Sequence, residues 1–334
     1  MRHPRQKVSD ATGLDRGANS ECRNAPEISK GACWAGPGEA NQERGMMPQI
    51  HQNCNIDDYY AGKLSDGPAL SQSCAKTLLE QSPKHAWMNH PRLNPDWRPD
   101  ESRRGQAVGS AAHKLMIGRG ADIQVIEAED YRTKAAQAIR DQAQSEGKIA
   151  ILLPDWAKAQ LMVDAAAVQL DAMGLKPSTG YSGEVAITWT AEGCELQTLI
   201  DMLHESNRIV IDYKTTAASA NPVDIPRYAV SLGWDIQAAF HKSALDAVDP
   251  EGAGRRRHLF ILQENYPPFA LTPVEMPESW LCMGTKKLWR ACEIWRECIA
   301  SGEWPAYPAK ILIPEYPAFA EERWLKRELA EEVA

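Results

Sequence analysis

The stretch GEVAITWTAEGCELQTLIDMLHESNRIVIDYKTT, residues 183–216, most constrains what this chain can fold into. It holds three β-rich runs, 184–190, 194–203 and 208–214, separated by Gly- or Asn-bearing turns, which is the pattern of a meander. Strands that carry apolar side chains must cover them with another layer, and the sequence on either side supplies helices. Ser71 or Ser73 can cap a helix through CAKTLLEQ that is ended by Pro83, with one more turn at KHAWMNH. AVGSAAHKLMIG has the small residues of a helix packed tightly on something flat. Residues 130–147 read as a polar helix, and 154–173 as an amphipathic one opened by Pro154 and Asp155. Further helices are predicted over 224–248 and 278–301, a strand over 257–265, and irregular chain over 302–324. A central mixed sheet flanked by helices, of the α+β class, is the expected fold.

Composition sets the class. With 43% hydrophobic and 25% charged residues in 334, the chain is globular. No run approaches the ~18 apolar residues of a membrane span, and MRHPRQKVSDATGLDRGANSE lacks a signal peptide's apolar core. A cytoplasmic location is the expectation, with no membrane partner. Residues 1–50 show neither helical nor strand period and are expected to be a disordered or non-native extension. A single domain is expected over 55–330. The eight cysteines contain no CxxC pair, so free thiols are favoured over a disulfide framework. Cys282, Cys292 and Cys298 raise an iron–sulfur cluster, but two of them lie in an amphipathic helix and read as buried thiols.

The chemistry is concentrated at the end of the meander. Side chains alternate along a strand, so Asp212 and Lys214 share one face while Ile211 and Tyr213 take the other. If HESN, 204–207, is a four-residue loop, Leu203 faces Arg208. Asp201 then stands opposite Val210, on the face of Asp212 and Lys214. Two converging carboxylates repel each other unless a cation lies between them, and oxygen ligands select Mg²⁺ or Mn²⁺. Such a centre suits phosphodiester hydrolysis, with the lysine stabilising developing charge. The alternative is an ordinary surface Asp–Lys pair. A net charge of −8 argues against holding nucleic acid by bulk electrostatics, and leaves room for a local basic groove or an acidic metal site.

The order acid, turn, IVIDYKTT, then a helix holding QAAFH resembles the PD-(D/E)XK nuclease superfamily. Within its RecB-like branch the chain is most similar to the phage and bacterial exonuclease VIII, or RecE-like, group. YYAGKLSDGPALSQSCAKTLLEQSPKHAW, VGSAAHKLMIG, GEVAITWT, LQENYPPF and CIASGEWPAYP fit that group in order, over about residues 55–320. The resemblance implies a restriction-endonuclease-like core and a metal-dependent exodeoxyribonuclease working from duplex DNA ends, with 5′ to 3′ resection for recombination. It also implies ring-like homo-oligomers and a RecT-like single-strand annealing partner.

By position it makes Asp201 and Asp212 metal ligands, with the Tyr213 carbonyl as a third oxygen and His113 as an imidazole ligand. Lys214 becomes the catalytic lysine and Gln237 the amide of a QxxxY motif. Glu184 matches an acidic position that either binds the metal from outside or orients water, with a plain surface role as the alternative. Two departures stand out: Ile200 replaces the proline of the superfamily's name, and His241 replaces the tyrosine of QxxxY. For DNA contact the concentrated basic residues are Arg103, Arg104, Arg255, Arg256 and Arg257, whose forked donors suit phosphates; solvated loops are the alternative. The rival readings are an endonuclease with the same metal site and a phage DNA-binding protein that has lost catalysis.

Overall fold

The computed structural model describes residues 46–52, 54–98, 107–175 and 179–332. Strand β1 (Gln49–His51) and helix α1 (Ile56–Tyr60) come first, followed by β2 (Leu70–Ser71), α2 (Gln72–Glu80) and α3 (Pro83–Met88). The small-residue helix α4 (Ala107–Ile117) leads to β3 (Ile123–Ile126), α5 (Lys134–Ser145), β4 (Ile149–Leu152) and α6 (Leu153–Ala172). The meander is β5 (Tyr181–Ala191), β6 (Cys194–His204) and β7 (Ile209–Thr216). After it come α7 (Ile225–Leu232), α8 (Trp234–Val248), β8 (Arg257–Glu264), β9 (Leu271–Glu275), α9 (Glu278–Ser301) and α10 (Ala318–Glu332).

The sheet runs β1-β5-β6-β7-β8-β9, with β2 added parallel to β6. Its path is antiparallel except between β7 and β8, which pair in parallel from Ile209 with Arg257 to Thr216 with Glu264. This is the mixed, helix-flanked sheet expected from the sequence. Alternation along β7 sends Val210 to one core, with Ile236, Phe240, Leu288 and Trp295 of α8 and α9, and Ile211 and Tyr213 to another. The second core holds Ala111 and Ala112 of α4 and Met162 and Ala166 of α6. A separate two-stranded parallel sheet, β3 with β4, packs on α5.

Local chemistry explains most boundaries. Ser71 caps α2 by accepting from the Cys74 N–H at 3.3 Å, as the sequence indicated. Pro83 does not end that helix but sits in the first turn of α3, where a missing N–H costs nothing. The helix predicted over 224–248 is two helices, broken at Gly233, whose φ of +74° suits glycine alone. Strand β1 lies at the edge of the segment expected to be disordered, since its pairing with β5 is made by backbone groups that leave little mark on composition. The segment predicted to be irregular ends in α10. Cys194, Cys292 and Cys298 are buried free thiols, but Cys282 is disulfide-bonded, a correction that spacing alone could not foresee. No described helix is long and apolar enough to cross a membrane.

Helix α9 crosses α8 at Gly284, where an added Cβ would stand 1.9 Å from the Asp235 carbonyl oxygen. Backbone on the receiving side cannot swing away as a side chain can. Gly284→Ala is expected to lower unfolding free energy by at least ~2 kcal/mol, measured by denaturant titration.

Candidate metal and catalytic centre

The hairpin joining β6 and β7 has a four-residue loop, but its register is two residues from the expected one. Leu203 pairs with Val210 and Met202 with Ile211, so Asp201 falls opposite Asp212 and not opposite Val210. The loop is 205–208, turned by the Asn207 N–H donating to the His204 carbonyl, with Asn207 in the left-handed region. A two-residue offset preserves the face, so the expected company of Asp201 and Asp212 survives the correction.

The β6–β7 ladder stops at Met202 and Ile211, while β7 stays paired with β8 along its length. In the gap so opened the Tyr213 N–H donates to Asp201 Oδ2 at 3.1 Å, a side-chain acceptor in place of a strand carbonyl. A residue's N–H and C=O point to the same side of a strand, so the Tyr213 carbonyl also faces this gap. Glu184 on β5 lies opposite Asp201, between the pairs Gly183–Met202 and Val185–Ile200. Its φ of +49° is a left-handed conformation that a glutamate adopts at a cost of about 1–2 kcal/mol.

Helices close the gap from both faces. Gly109 of α4 lets that helix approach β7, since a Cβ there would stand 2.7 Å from Thr215 Oγ1. One turn later His113 places Nε2 3.1 Å from Asp201 Oδ2. Gly183 admits the end of α4 against β5, where an added Cβ would meet Ile117 Cγ2 at 2.6 Å. From the other face, Gln237 in the first turn of α8 donates its amide N–H to Asp212 Oδ2. Lys214 Nζ lies 2.5 Å from the fully buried Asp212 Oδ1 as an ion pair.

The two aspartates are shifted in opposite directions. Burial, then the negative charge of Asp201, pushes the Asp212 carboxyl up to about 6 against the pull of Lys214. Burial also acts against ionised Asp201, but the His113 hydrogen bond and charge, Lys214 and the Tyr213 N–H outweigh it and hold the group down at about 2. His113 is raised despite its burial, by Asp201 and Asp212. Glu184 is raised, by burial first, with His113 pulling down and Asp201 pushing up.

This donor set fits a hard divalent cation. Asp201 and Asp212, the Tyr213 carbonyl and His113 would hold it, with Glu184 beside them, since carboxylate and carbonyl oxygens with one imidazole are ligands such an ion takes. Among the described residues no three His, Cys, Asp or Glu side chains converge as a ready-made metal cage. The physical reason is that Asp212 is turned to Lys214 and Gln237 while Asp201 is bonded to His113.

His241, in the tyrosine position of QxxxY, is fully buried, hydrogen-bonded to the Leu199 backbone and lowered to about 4 by burial. Its Nε2 has no partner. The three arginines that lead into β8 each have a partner within the chain. Arg256 is buried on Asp246 and Asp249, Arg257 pairs with Glu275 at 2.8 Å, and Arg255 donates to the Glu251 carbonyl. Arg103 and Arg104 lie outside the described residues. Sequence reading missed Gln263. Its Oε1 accepts from the Tyr213 hydroxyl at 2.5 Å while its Nε2 donates to the Met162 and Phe269 carbonyls, fixing the tyrosine whose backbone lines the gap. Its place in LQENYPPF was the available signal.

Residues 71–313, more than two thirds of the chain, match the family described as the PDDEXK-like domain of unknown function, DUF3799. The chain belongs to that family. Its fold is similar to the crystal structure of a protein of Eubacterium rectale provisionally named an exonuclease, at a TM-score of 0.51 and 13% identity, over 81% of this chain and 98% of that one. A phage-related exonuclease from Haemophilus somnus matches at a TM-score of 0.30 and 10% identity, over 72% of this chain and 98% of its own. No curated protein matches.

The raised Asp212 has a signed consequence. Its folded value, about 6, lies above the ordinary 3.8, so its ionisation removes stability as pH rises between the two. In metal-free protein, the melting temperature of Asp212→Asn relative to wild type is expected to increase from pH 4 to pH 6 and then level off. An unchanging difference across that range would show that Asp212 is not held in this way.

Proposed function

We propose that the chain is a metal-dependent exodeoxyribonuclease that hydrolyses phosphodiester bonds from the ends of duplex DNA. The observation that carries this reading is the meeting of Asp201, Asp212 and Lys214 where β6 and β7 part, with His113 and Gln237 brought in by helices on opposite faces. Membership of a PDDEXK-like family supports it, and the fold it shares with the Eubacterium rectale protein is compatible with it. Resection from 5′ to 3′ and a RecT-like annealing partner are supported by the sequence resemblance alone.

A bound Mg²⁺ or Mn²⁺ would neutralise the paired carboxylates and supply Lewis-acid polarisation of the scissile phosphate. The chain's own residues do the rest. Lys214, partly exposed beside buried Asp212, presents an ammonium to charge that develops on the phosphate. Gln237 holds the Asp212 carboxylate in one orientation, and His113 with the Tyr213 N–H does so for Asp201. Between about pH 6 and the range where Lys214 loses its proton, both aspartates are ionised and the lysine is charged.

The test is digestion of linear duplex labelled at either the 5′ or the 3′ end, beside covalently closed circular DNA, with Mg²⁺ or Mn²⁺. Label is expected to be released from one polarity of end while the circle stays intact; nicking of the circle at the rate of the linear duplex would make the enzyme an endonuclease. Asp212→Ala and Lys214→Ala are each expected to cut the rate by ~10²–10³-fold or more while DNA binding is largely kept. Wild-type cleavage by either variant would remove the residue from the site.

A further inference from the structure

Lys214 and Gln237 both hold Asp212, and they stand at the two ends of one connection. The chain leaves β7 at Thr216, crosses residues 217–224, forms α7 and turns at Gly233 into the first turn of α8. A connection of that length sets its two ends against each other only if its middle is fixed, because each loop residue is otherwise free to sample several backbone states. The fixing group is a carboxylate that the hydrolytic centre does not use.

Glu264 ends β8. In the parallel pairing Lys214 stands beside Leu262 and Thr216 beside Glu264, so alternation puts the Glu264 side chain on the face of Asp212 and Lys214, one step nearer the strand ends. It is 7% exposed, and a carboxylate buried to that extent needs donors around it. The connection supplies them: Glu264 Oε1 accepts from the Ala220 N–H at 2.8 Å and from Ser219 Oγ at 3.2 Å. The Tyr266 hydroxyl is hydrogen-bonded to the same carboxylate. Ala220 is also held by β9, where Thr272 Oγ1 donates to its carbonyl at 2.6 Å. Both backbone groups of one buried residue are thereby fastened to neighbouring strands.

The clamp reaches the centre through packing. From Asn221 to Asp224 the chain is exposed and has no burial of its own to hold it. Ala220 packs with Ile225 and Ala229 of α7 and in one core with Trp234 and Ala238, which lie on either side of Gln237 in α8. At the other end, Thr216 Oγ1 accepts from the Ala218 N–H at 3.0 Å, so the turn out of β7 begins two residues after Lys214.

We propose that Glu264 is a positioning residue: by fastening Ala220 it sets where Lys214 and Gln237 meet Asp212. The consequence for rate rests on the hydrolytic reading, whereas the consequence for backbone order does not. Removing the carboxylate leaves the buried Ala220 N–H without its acceptor, and the segment that joins the two Asp212 partners loosens. A glutamine at position 264 keeps an oxygen where Oε1 stands, so the clamp needs the acceptor and not the charge.

The test compares Glu264→Ala, Glu264→Gln and Thr272→Val with Ile126→Ala, a buried-core change in the separate β3–β4 layer, each shown to be folded by circular dichroism. Amide hydrogen exchange over 217–240 is expected to speed up in Glu264→Ala and Thr272→Val and to stay at the wild-type level in Glu264→Gln and Ile126→Ala. For cleavage of linear duplex with Mg²⁺, kcat is expected to fall roughly 10- to 100-fold in Glu264→Ala and less in Thr272→Val, with KM little changed and Glu264→Gln close to wild type. Thr272→Val reaches Ala220 from the other strand and decides the matter by itself if Glu264→Ala does not fold. Unchanged exchange in both clamp variants, a kcat in them no lower than in Ile126→Ala, or Glu264→Gln as slow as Glu264→Ala would each overturn the proposal. Exchange altered as expected in a wild-type background that does not cleave DNA would remove the hydrolytic reading and leave the clamp standing.

Discussion

The hydrogen bond from the Tyr213 N–H to Asp201 Oδ2 stands where an antiparallel ladder would have placed a backbone carbonyl. A buried strand N–H must find an acceptor, and here a carboxylate is that acceptor. The constraint acts in both directions: β7 can leave β6 after the two pairs Leu203–Val210 and Met202–Ile211, and Asp201 cannot rotate away without orphaning a backbone donor. The remainder of the site follows from that separation. Parallel pairing with β8 keeps β7 straight as β6 diverges, so Asp212 and Lys214 stay at the mouth of the gap.

Such an arrangement is electrostatically costly without compensation, because two buried carboxylates repel each other in a medium that screens poorly. The fold distributes the burden unequally. Asp201 collects an imidazole and a backbone N–H that hold its carboxyl below the usual range, while Asp212, deeper and facing Asp201, is raised toward neutrality. Lys214 and Gln237 hold the second aspartate in place. Strained Glu184 and the buried His241, with an unsatisfied ring nitrogen, belong to the same neighbourhood, as expected where structure is shaped for something other than stability alone.

The scaffold around the centre depends on small residues at close approaches. Gly109 brings α4 to β7, Gly183 admits the end of α4 against β5, and Gly284 lets α9 cross α8. The first two set how deeply His113 reaches toward Asp201. The third fixes α9 against the helix that carries Gln237.

The sequence by itself determined the meander, most helices, and the shared face of Asp201, Asp212 and Lys214. These rest on alternation and on helical period, which are local consequences of backbone geometry and survive even the two-residue error in register. Only the tertiary structure decided that Asp201 stands opposite Asp212, that Gln263 holds Tyr213, and that Arg256 and Arg257 are engaged by Asp246, Asp249 and Glu275. Each of these is a partnership between residues separated by loops and layers, and a side chain's partner depends on which loop closes and which surface is already covered, information that no local pattern carries.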